Sequence, residues 1–169
     1  MKFNLIDKVE SATAEKLVGI KQVSLAEEYL ADHFPTFPVL PGVLMIEALT
    51  QAAGWVLHLR SDFACSMAVL KEARNVKYSA FAAPGSVLRL EVELTKPTPG
   101  GGVFSGTGTV VSEGSAAVQA VSARIEIAYF NLADRLDGAR EMADVDRRLI
   151  EHHRARWALI APQAQTIGV

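Results

Sequence analysis

The sequence of 169 residues has a single cysteine, Cys65, and no strong excess of charge of either sign. One cysteine cannot form a disulfide within the chain, which fits a reducing compartment. Seventeen basic and 19 acidic residues give a net charge of -2, so the chain lacks the positive charge typical of nucleic-acid-binding proteins. The N-terminal residues lack the apolar run and cleavage site of a signal peptide, and we therefore expect a cytoplasmic protein.

Several kinds of functional segment are also missing. Residues 39–59 approach the length of a membrane span, but Glu47, Gln51 and His58 interrupt them, so no membrane span is expected. The glycines at 100–102 are typical of a hairpin turn rather than a phosphate-binding loop. His152 and His153 are adjacent and would point about 100° apart on a helix, so we expect no metal and no cofactor.

Hydrophobic patterning predicts an α+β domain. Half of the residues are hydrophobic, which is typical of a well-packed globular protein. A long, almost entirely apolar helix is predicted to begin at Pro41 and Gly42 and to end near Leu59. Between residues 66 and 129 apolar and polar residues alternate, as in half-buried antiparallel strands, with turns at 84–85 and 97–102. This order predicts an antiparallel sheet wrapped around the helix.

Shorter elements are predicted on both sides of this region. Residues 15–23 favour a strand, and residues 24–30 favour a short helix capped by Ser24 with Glu27 three positions later. Residues 139–160 predict a C-terminal helical tail with one apolar stripe. We expect a domain over residues 1–130 and an extension over residues 131–169 that packs on this domain or on a partner subunit.

The predicted central helix carries one sparse polar stripe. Glu47, Gln51, Gly54 and His58 are spaced by four, three and four residues and therefore share one side of the helix. Such a stripe is typical of the solvent edge of an amphipathic helix, but this helix is otherwise nearly all apolar. Because an ionised carboxylate is costly in apolar surroundings, we expect Glu47 to be protonated and able to donate a proton.

His33 is a candidate base in the loop before this helix. A lone loop histidine is commonly an ordinary surface residue, but three nearby prolines restrict this loop to few conformations. The N–H groups of Gly42 and Val43 begin the helix without intrahelical acceptors and could bind a carbonyl oxygen that gains negative charge. A base, an acid and an oxyanion site together suit the dehydration of a 3-hydroxyacyl compound.

Residues 33–51 read HFPTFPVLPGVLMIEALTQ. This segment closely resembles the active-site signature of the β-hydroxyacyl-acyl-carrier-protein dehydratases of the FabZ type, and weaker similarity extends from residue 5 to about residue 127. The resemblance implies the hot-dog fold, in which an antiparallel sheet wraps around a long central helix.

The resemblance also implies a role for each site residue. His33 would remove the C2 proton, Glu47 would protonate the departing 3-hydroxyl group, and the N–H group of Gly42 would bind the thioester carbonyl. Gln51 would form a hydrogen bond near Glu47. In this family the histidine and the glutamate of one site come from different subunits. The resemblance therefore implies a homodimer or a dimer-based oligomer, with the acyl chain in an apolar tunnel along the dimer interface.

The implied reaction converts 3-hydroxyacyl thioesters to trans-2-enoyl thioesters in fatty-acid biosynthesis, with acyl carrier protein as the partner that holds the acyl group. Candidate basic contacts for an acidic carrier are Lys71, Arg74, Lys77 and Lys96. Two alternatives stay open, a hot-dog hydratase that acts on acyl-CoA and a non-catalytic acyl-binding hot-dog subunit. Loss of His33 or Glu47 would favour the non-catalytic alternative, and the chain retains both.

Overall fold

The computed structural model describes residues 3–136 and 139–161. Within these residues the main elements follow in the order β1 (Lys8–Ala12), β2 (Lys16–Gln22), α1 (Gly42–Arg60), β3 (Met67–Tyr78), β4 (Val87–Thr98), β5 (Gly101–Val111), β6 (Val118–Phe130) and α2 (Ala139–Ile160). Two short 3-10 helices lie at Glu28–Leu30 and Leu132–Asp134.

The strands form one antiparallel sheet in the order β1-β2-β4-β5-β6-β3. Alternate residues of β4 are buried, including Leu88, Leu90 and Val92, because one face of the strand packs toward α1. β3 lies at one edge, where it pairs with β6 alone among the strands described. The predicted architecture is confirmed, with an antiparallel sheet around a long central helix and a second helix near the C-terminus.

Helix α1 forms the centre of the core. It begins at Gly42, directly after Pro41, and ends at Arg60, one residue beyond the predicted end. Gly106 of β5 permits close packing of the sheet, since a Cβ atom there would lie 3.1 Å from a methyl carbon of Leu49. By length and composition alone α1 could cross a membrane, but 61% of its most apolar window is buried inside the fold, as in a core helix.

Two local predictions differ from the structure. The helix expected at residues 24–30 is only a 3-10 turn at its end, because Ser24 Oγ accepts a hydrogen bond from Ala26 N and forms a tight turn instead of a helix cap. Glu27 pairs with the buried Lys21 ammonium group rather than with the backbone. The turn expected at 97–102 is confined to residues 99–100. Pro97 stays in β4. Proline has no N–H group to donate, and none is needed here because the pairing of β4 with β2 has already ended at Glu93.

Helix α2 occupies the predicted range of 139–160 and packs on the end of α1. The ring centroids of Trp157 and Trp55 lie 5.5 Å apart. Asp146, which is buried, accepts hydrogen bonds from Ser66 Oγ and from the N–H groups of Leu132 and Ala133. The division into a domain of residues 1–130 and an extension of 131–169 stays a prediction, and residues 162–169 of it lie outside the described residues.

Candidate active site

The imidazole of His33 is held by one hydrogen bond to the backbone. Its Nδ1 atom lies 2.9 Å from the carbonyl oxygen of Val39. A carbonyl oxygen only accepts, so Nδ1 carries the proton and donates. In the neutral ring the lone pair then lies on Nε2. The ring is half-buried, and Nε2 has no hydrogen-bond partner among the described residues.

The loop that carries His33 has an unusual backbone. Phe34 adopts a φ of +55°, a conformation that non-glycine residues rarely adopt, and its ring lies 4.4 Å from that of His33. A hydrogen bond of 2.7 Å from Phe37 N to Phe34 O closes the turn. Strained backbone of this kind persists where the surroundings fix it and is common at functional sites.

His33 lines a cavity of about 490 Å³ together with the start of α1. The first N–H groups with partners in α1 are those of Leu44 and Met45, which both donate to Pro41 O. The N–H groups of Gly42 and Val43 therefore lie at the open, positive end of the helix. Gly42 is also in close contact with Tyr78, because a Cβ atom on Gly42 would lie 2.8 Å from the phenol ring.

Glu47 lies one turn further along α1 and is hydrogen-bonded to Gln51. The side-chain Nε2 of Gln51 donates to Glu47 Oε1 at 3.0 Å and to Phe3 O at 3.1 Å, while its Oε1 accepts from Leu5 N at 2.9 Å. The Leu5 N–H group fixes the orientation of the amide, so its NH₂ group must point toward Glu47. Oε1 of Glu47 thus accepts from the amide, and Oε2 is the carboxyl oxygen that Gln51 does not bind.

The polar stripe of α1 faces a second cavity, of about 340 Å³. All four stripe residues line it: Glu47, Gln51, Gly54 and His58. Helix α2 forms another wall, to which it contributes Leu149, His152, His153, Arg156 and Ile160. The end of the stripe at His58 is therefore not a solvent edge, since His58 is only 4% exposed.

Among the described residues, none lines both cavities. His33, Gly42 and Val43 line one of them, and Glu47 and Gln51 line the other. The single chain thus brings the candidate base together with the candidate oxyanion donors, and the candidate acid together with its amide partner. It does not bring these two halves together in one cavity.

The second cavity, called the Glu47 cavity below, has an inner end formed by His58 and His153. The sequence did not identify these two histidines and Tyr129, which binds His58, as a group. His58 Nδ1 lies 3.0 Å from Tyr129 Oη, and the His58 ring centroid lies 4.7 Å from that of His153. Burial, with a smaller effect from His153, lowers the pKa of His58 to about 3. Burial also lowers the pKa of His153, although its hydrogen bond to Ser66 O acts in the opposite direction. Both rings are therefore neutral at pH 7.

Comparisons with known proteins give the same family as the sequence signature. The model of the FabA-like domain matches residues 1–121. A 3-hydroxyacyl-[acyl-carrier-protein] dehydratase FabZ of Clostridium perfringens is 39% identical over 108 residues, which are 64% of this chain and 78% of that protein. The FabZ dehydratase of Solibacter usitatus is 36% identical over 109 residues, which are 64% of this chain and 67% of that protein.

Solved structures support the fold. A chain of the dehydratase heterocomplex ApeI:P from Xenorhabdus doucetiae aligns with a TM-score of 0.59 and 21% identity, over 77% of this chain and 85% of that one. A thioesterase family protein from Silicibacter pomeroyi aligns with a TM-score of 0.58 and 13% identity, over 75% and 85% of the two chains. At these identities the likeness shows a shared fold alone.

Proposed function

The chain belongs to the FabA-like family, and from this membership we propose that it is a hydro-lyase that converts 3-hydroxyacyl thioesters to trans-2-enoyl thioesters in fatty-acid biosynthesis. The observation that carries the proposal is the similarity to FabZ dehydratases over most of their length. His33 and Glu47 both lie within the region that the family model matches. A cytoplasmic location is part of the same proposal.

His33 acts as the base. With Nδ1–H bound to Val39 O, the lone pair of Nε2 accepts the proton from C2 of the substrate. The electron pair of the broken C–H bond moves toward the thioester carbonyl, whose oxygen gains negative charge. The N–H group of Gly42 at the positive end of α1 binds this oxygen, and Val43 N lies next to it.

Glu47 acts as the acid. As the C3–O bond breaks, the proton on Oε2 passes to the departing hydroxyl group, which leaves as water. Oε1 already accepts a hydrogen bond from Gln51, so the amide stabilises the carboxylate that this step produces. The double bond then lies between C2 and C3, and a proton returns from His33 to Glu47 through solvent before the next turnover.

A complete site requires two chains in this proposal. His33 and Glu47 line separate cavities of one chain, so a second copy must supply the missing half of each site. The edge strand β3 offers unpaired backbone groups along much of its length, which can pair with a second copy. Exposed apolar side chains surround the His33 cavity and would be covered in a homodimer: Phe34, Phe37, Val43, Tyr78 and Phe81.

The partner that holds the acyl group is acyl carrier protein in this proposal. Lys77 lies on β3 next to Tyr78, which lines the His33 cavity, so an acidic carrier that binds there would bring its thioester to the site. Lys71 and Arg74 on the same strand pair with Glu126 and Glu72, respectively. Lys77 is therefore the basic side chain of β3 that we expect to contact the carrier.

The test is the hydration of a trans-2-enoyl thioester, offered on carrier protein and on CoA in separate assays. We expect turnover with the carrier to exceed turnover with CoA, and Glu47→Gln to lower kcat by roughly 10²–10⁴-fold. Glu113→Gln changes an exposed glutamate in the same way and serves as the control. A preference for CoA would favour the acyl-CoA hydratase, and no turnover by a folded dimer would favour the non-catalytic acyl-binding subunit.

A further inference from the structure

The inner end of the Glu47 cavity carries two imidazole rings that the proposed reaction does not use. His58 comes from α1 and His153 from α2, and both line the cavity. Helix α2 lies beyond residue 121, where the match to the FabA-like domain ends. This end of the cavity is therefore built in part by a segment outside the region that this chain shares with the family model.

His58 presents one ring nitrogen to the cavity without a protein partner. Nδ1 is bound to Tyr129 Oη, while Nε2 has no hydrogen-bond partner among the described residues. Among these residues, Tyr29 Oη is the one side-chain polar atom that is both fully enclosed and without a partner. Nε2 of His58 also lacks a partner, so it is not fully enclosed and is reached from the cavity. His58 is only 4% exposed as a whole, so a ligand can reach this nitrogen only from the cavity.

His153 adds a second polar atom of known character. Its Nε2 lies 3.0 Å from Ser66 O and therefore donates, so Nδ1 of the neutral ring is an acceptor. Because burial keeps both rings neutral at pH 7, an uncharged group that can both donate and accept is the suitable ligand. A hydroxyl group meets this requirement for either tautomer of His58.

The position of the rings along α1 shows which part of a substrate would reach them. Glu47 and His58 are eleven residues apart, which corresponds to ~16 Å along a helix. The cavity of about 340 Å³ is near the lower end of the range for small-molecule sites. An acyl chain whose C3 atom reacts at Glu47 and that extends along the stripe would bring its distal carbons to His58 and His153.

We propose that the inner end of this cavity, formed by His58 and His153, binds a hydroxyl group on the distal part of the acyl chain. The substrate class is then a hydroxylated acyl thioester rather than a plain alkyl one. This inference rests on the proposed function, because it assigns the acyl chain of that reaction to the Glu47 cavity. It assigns to α2 a role in substrate specificity.

The test compares two trans-2-enoyl thioesters of equal length on carrier protein, one ending in a methyl group and one in a hydroxyl group. Chains of about fourteen to sixteen carbons suit the ~16 Å distance, since an extended alkyl chain advances about 1.3 Å per carbon and the distance is counted from C3. We expect the wild-type kcat/KM to favour the hydroxyl-ended chain by roughly three- to tenfold, the value of one neutral hydrogen bond. His58→Leu should abolish or reverse this preference, and His153→Phe, which keeps an aromatic contact with Trp55, should reduce it.

Arg148→Leu is the control, since Arg148 is an exposed side chain of α2 that is not among the residues lining this cavity. Its ratio of the two kcat/KM values should stay near that of the wild type. A wild-type enzyme that turns over both thioesters without preference would overturn this inference and leave the proposed function intact. Equal loss of the ratio in His58→Leu and Arg148→Leu would also overturn it, and absence of turnover with both thioesters would overturn both proposals.

Discussion

Gln51 Nε2 donates a hydrogen bond of 3.0 Å to Oε1 of Glu47 on the same face of α1, one turn earlier. The amide cannot rotate freely, because the backbone of Phe3 and Leu5 binds its other polar positions. The N-terminal segment thus orients a side chain that in turn orients the candidate acid. Such indirect positioning keeps a reactive group in its productive geometry.

Replacement of Gln51 by Leu is expected to lower kcat by about tenfold, because the carboxylate formed on Glu47 in the reaction loses a hydrogen bond worth roughly 1.5 kcal/mol. KM should change little, since Gln51 acts through Glu47 rather than on the substrate. Steady-state kinetics measure both constants. Gln119→Leu, the same change at an exposed position of β6, is the control, and equal effects of the two substitutions would contradict the positioning role.

Asp146 is expected to contribute strongly to the docking of α2. Burial disfavours its charged form, but hydrogen bonds from Ser66, Ala133 and Leu132 outweigh this effect and lower the pKa of the carboxyl group. Asp146→Ala leaves these donors without their acceptor and should reduce the free energy of unfolding by about 2–4 kcal/mol. Urea denaturation measures the change. Asp144→Ala removes an exposed carboxylate paired with Arg147 and should have little effect, so similar losses would contradict this account.

The buried His58 predicts a pH dependence of stability. Its pKa is lowered to about 3 in the folded protein, against about 6.5 when unfolded, so only the unfolded chain takes up this proton between those values. The free energy of unfolding therefore falls as the pH is lowered through this window, by about 3 kcal/mol between pH 7 and pH 4. Burial of His153 acts in the same direction.

The measurement is urea denaturation of the wild type and of His58→Gln across this pH range, since other groups titrate in both proteins and cancel in the difference. We expect the variant to show the weaker dependence on pH. His152→Gln changes an exposed histidine of α2 in the same way. It serves as the control and should follow the wild-type curve. Parallel curves for the wild type and His58→Gln would contradict the assignment.

The sequence predicted the elements whose signals are local. The apolar run after Pro41 and Gly42 defined α1 to within one residue, and the amphipathic stripe of the tail defined α2. The prediction of a short helix at 24–30 was wrong, because Ser24 forms a tight turn and Glu27 pairs with Lys21, six residues earlier, instead of completing a helix cap.

The site was predictable only in part, because its contacts join distant segments. The spacing of Glu47, Gln51 and His58 showed that they share one face of a helix, which is a local property. Helix α2 forms a wall opposite this face, and Tyr129 binds His58. Both contacts join residues that are 71 or more positions apart in the sequence. No periodicity in the sequence specifies such a contact, and the structure was needed to find the enclosed inner end of the cavity.

The central claim is that His33 of one chain and Glu47 of another form each site. Mixing inactive His33→Ala and Glu47→Gln chains tests it most directly, since a mixed dimer contains one site with both residues intact. Each mixed dimer has one intact site of two, so purified mixed dimers should have about half of the wild-type activity, and an unpurified random mixture, in which half of the dimers are mixed, about a quarter. Hydration of an enoyl thioester by purified, doubly tagged mixed dimers is the measurement. Activity there supports the shared site, and inactive mixed dimers would contradict it.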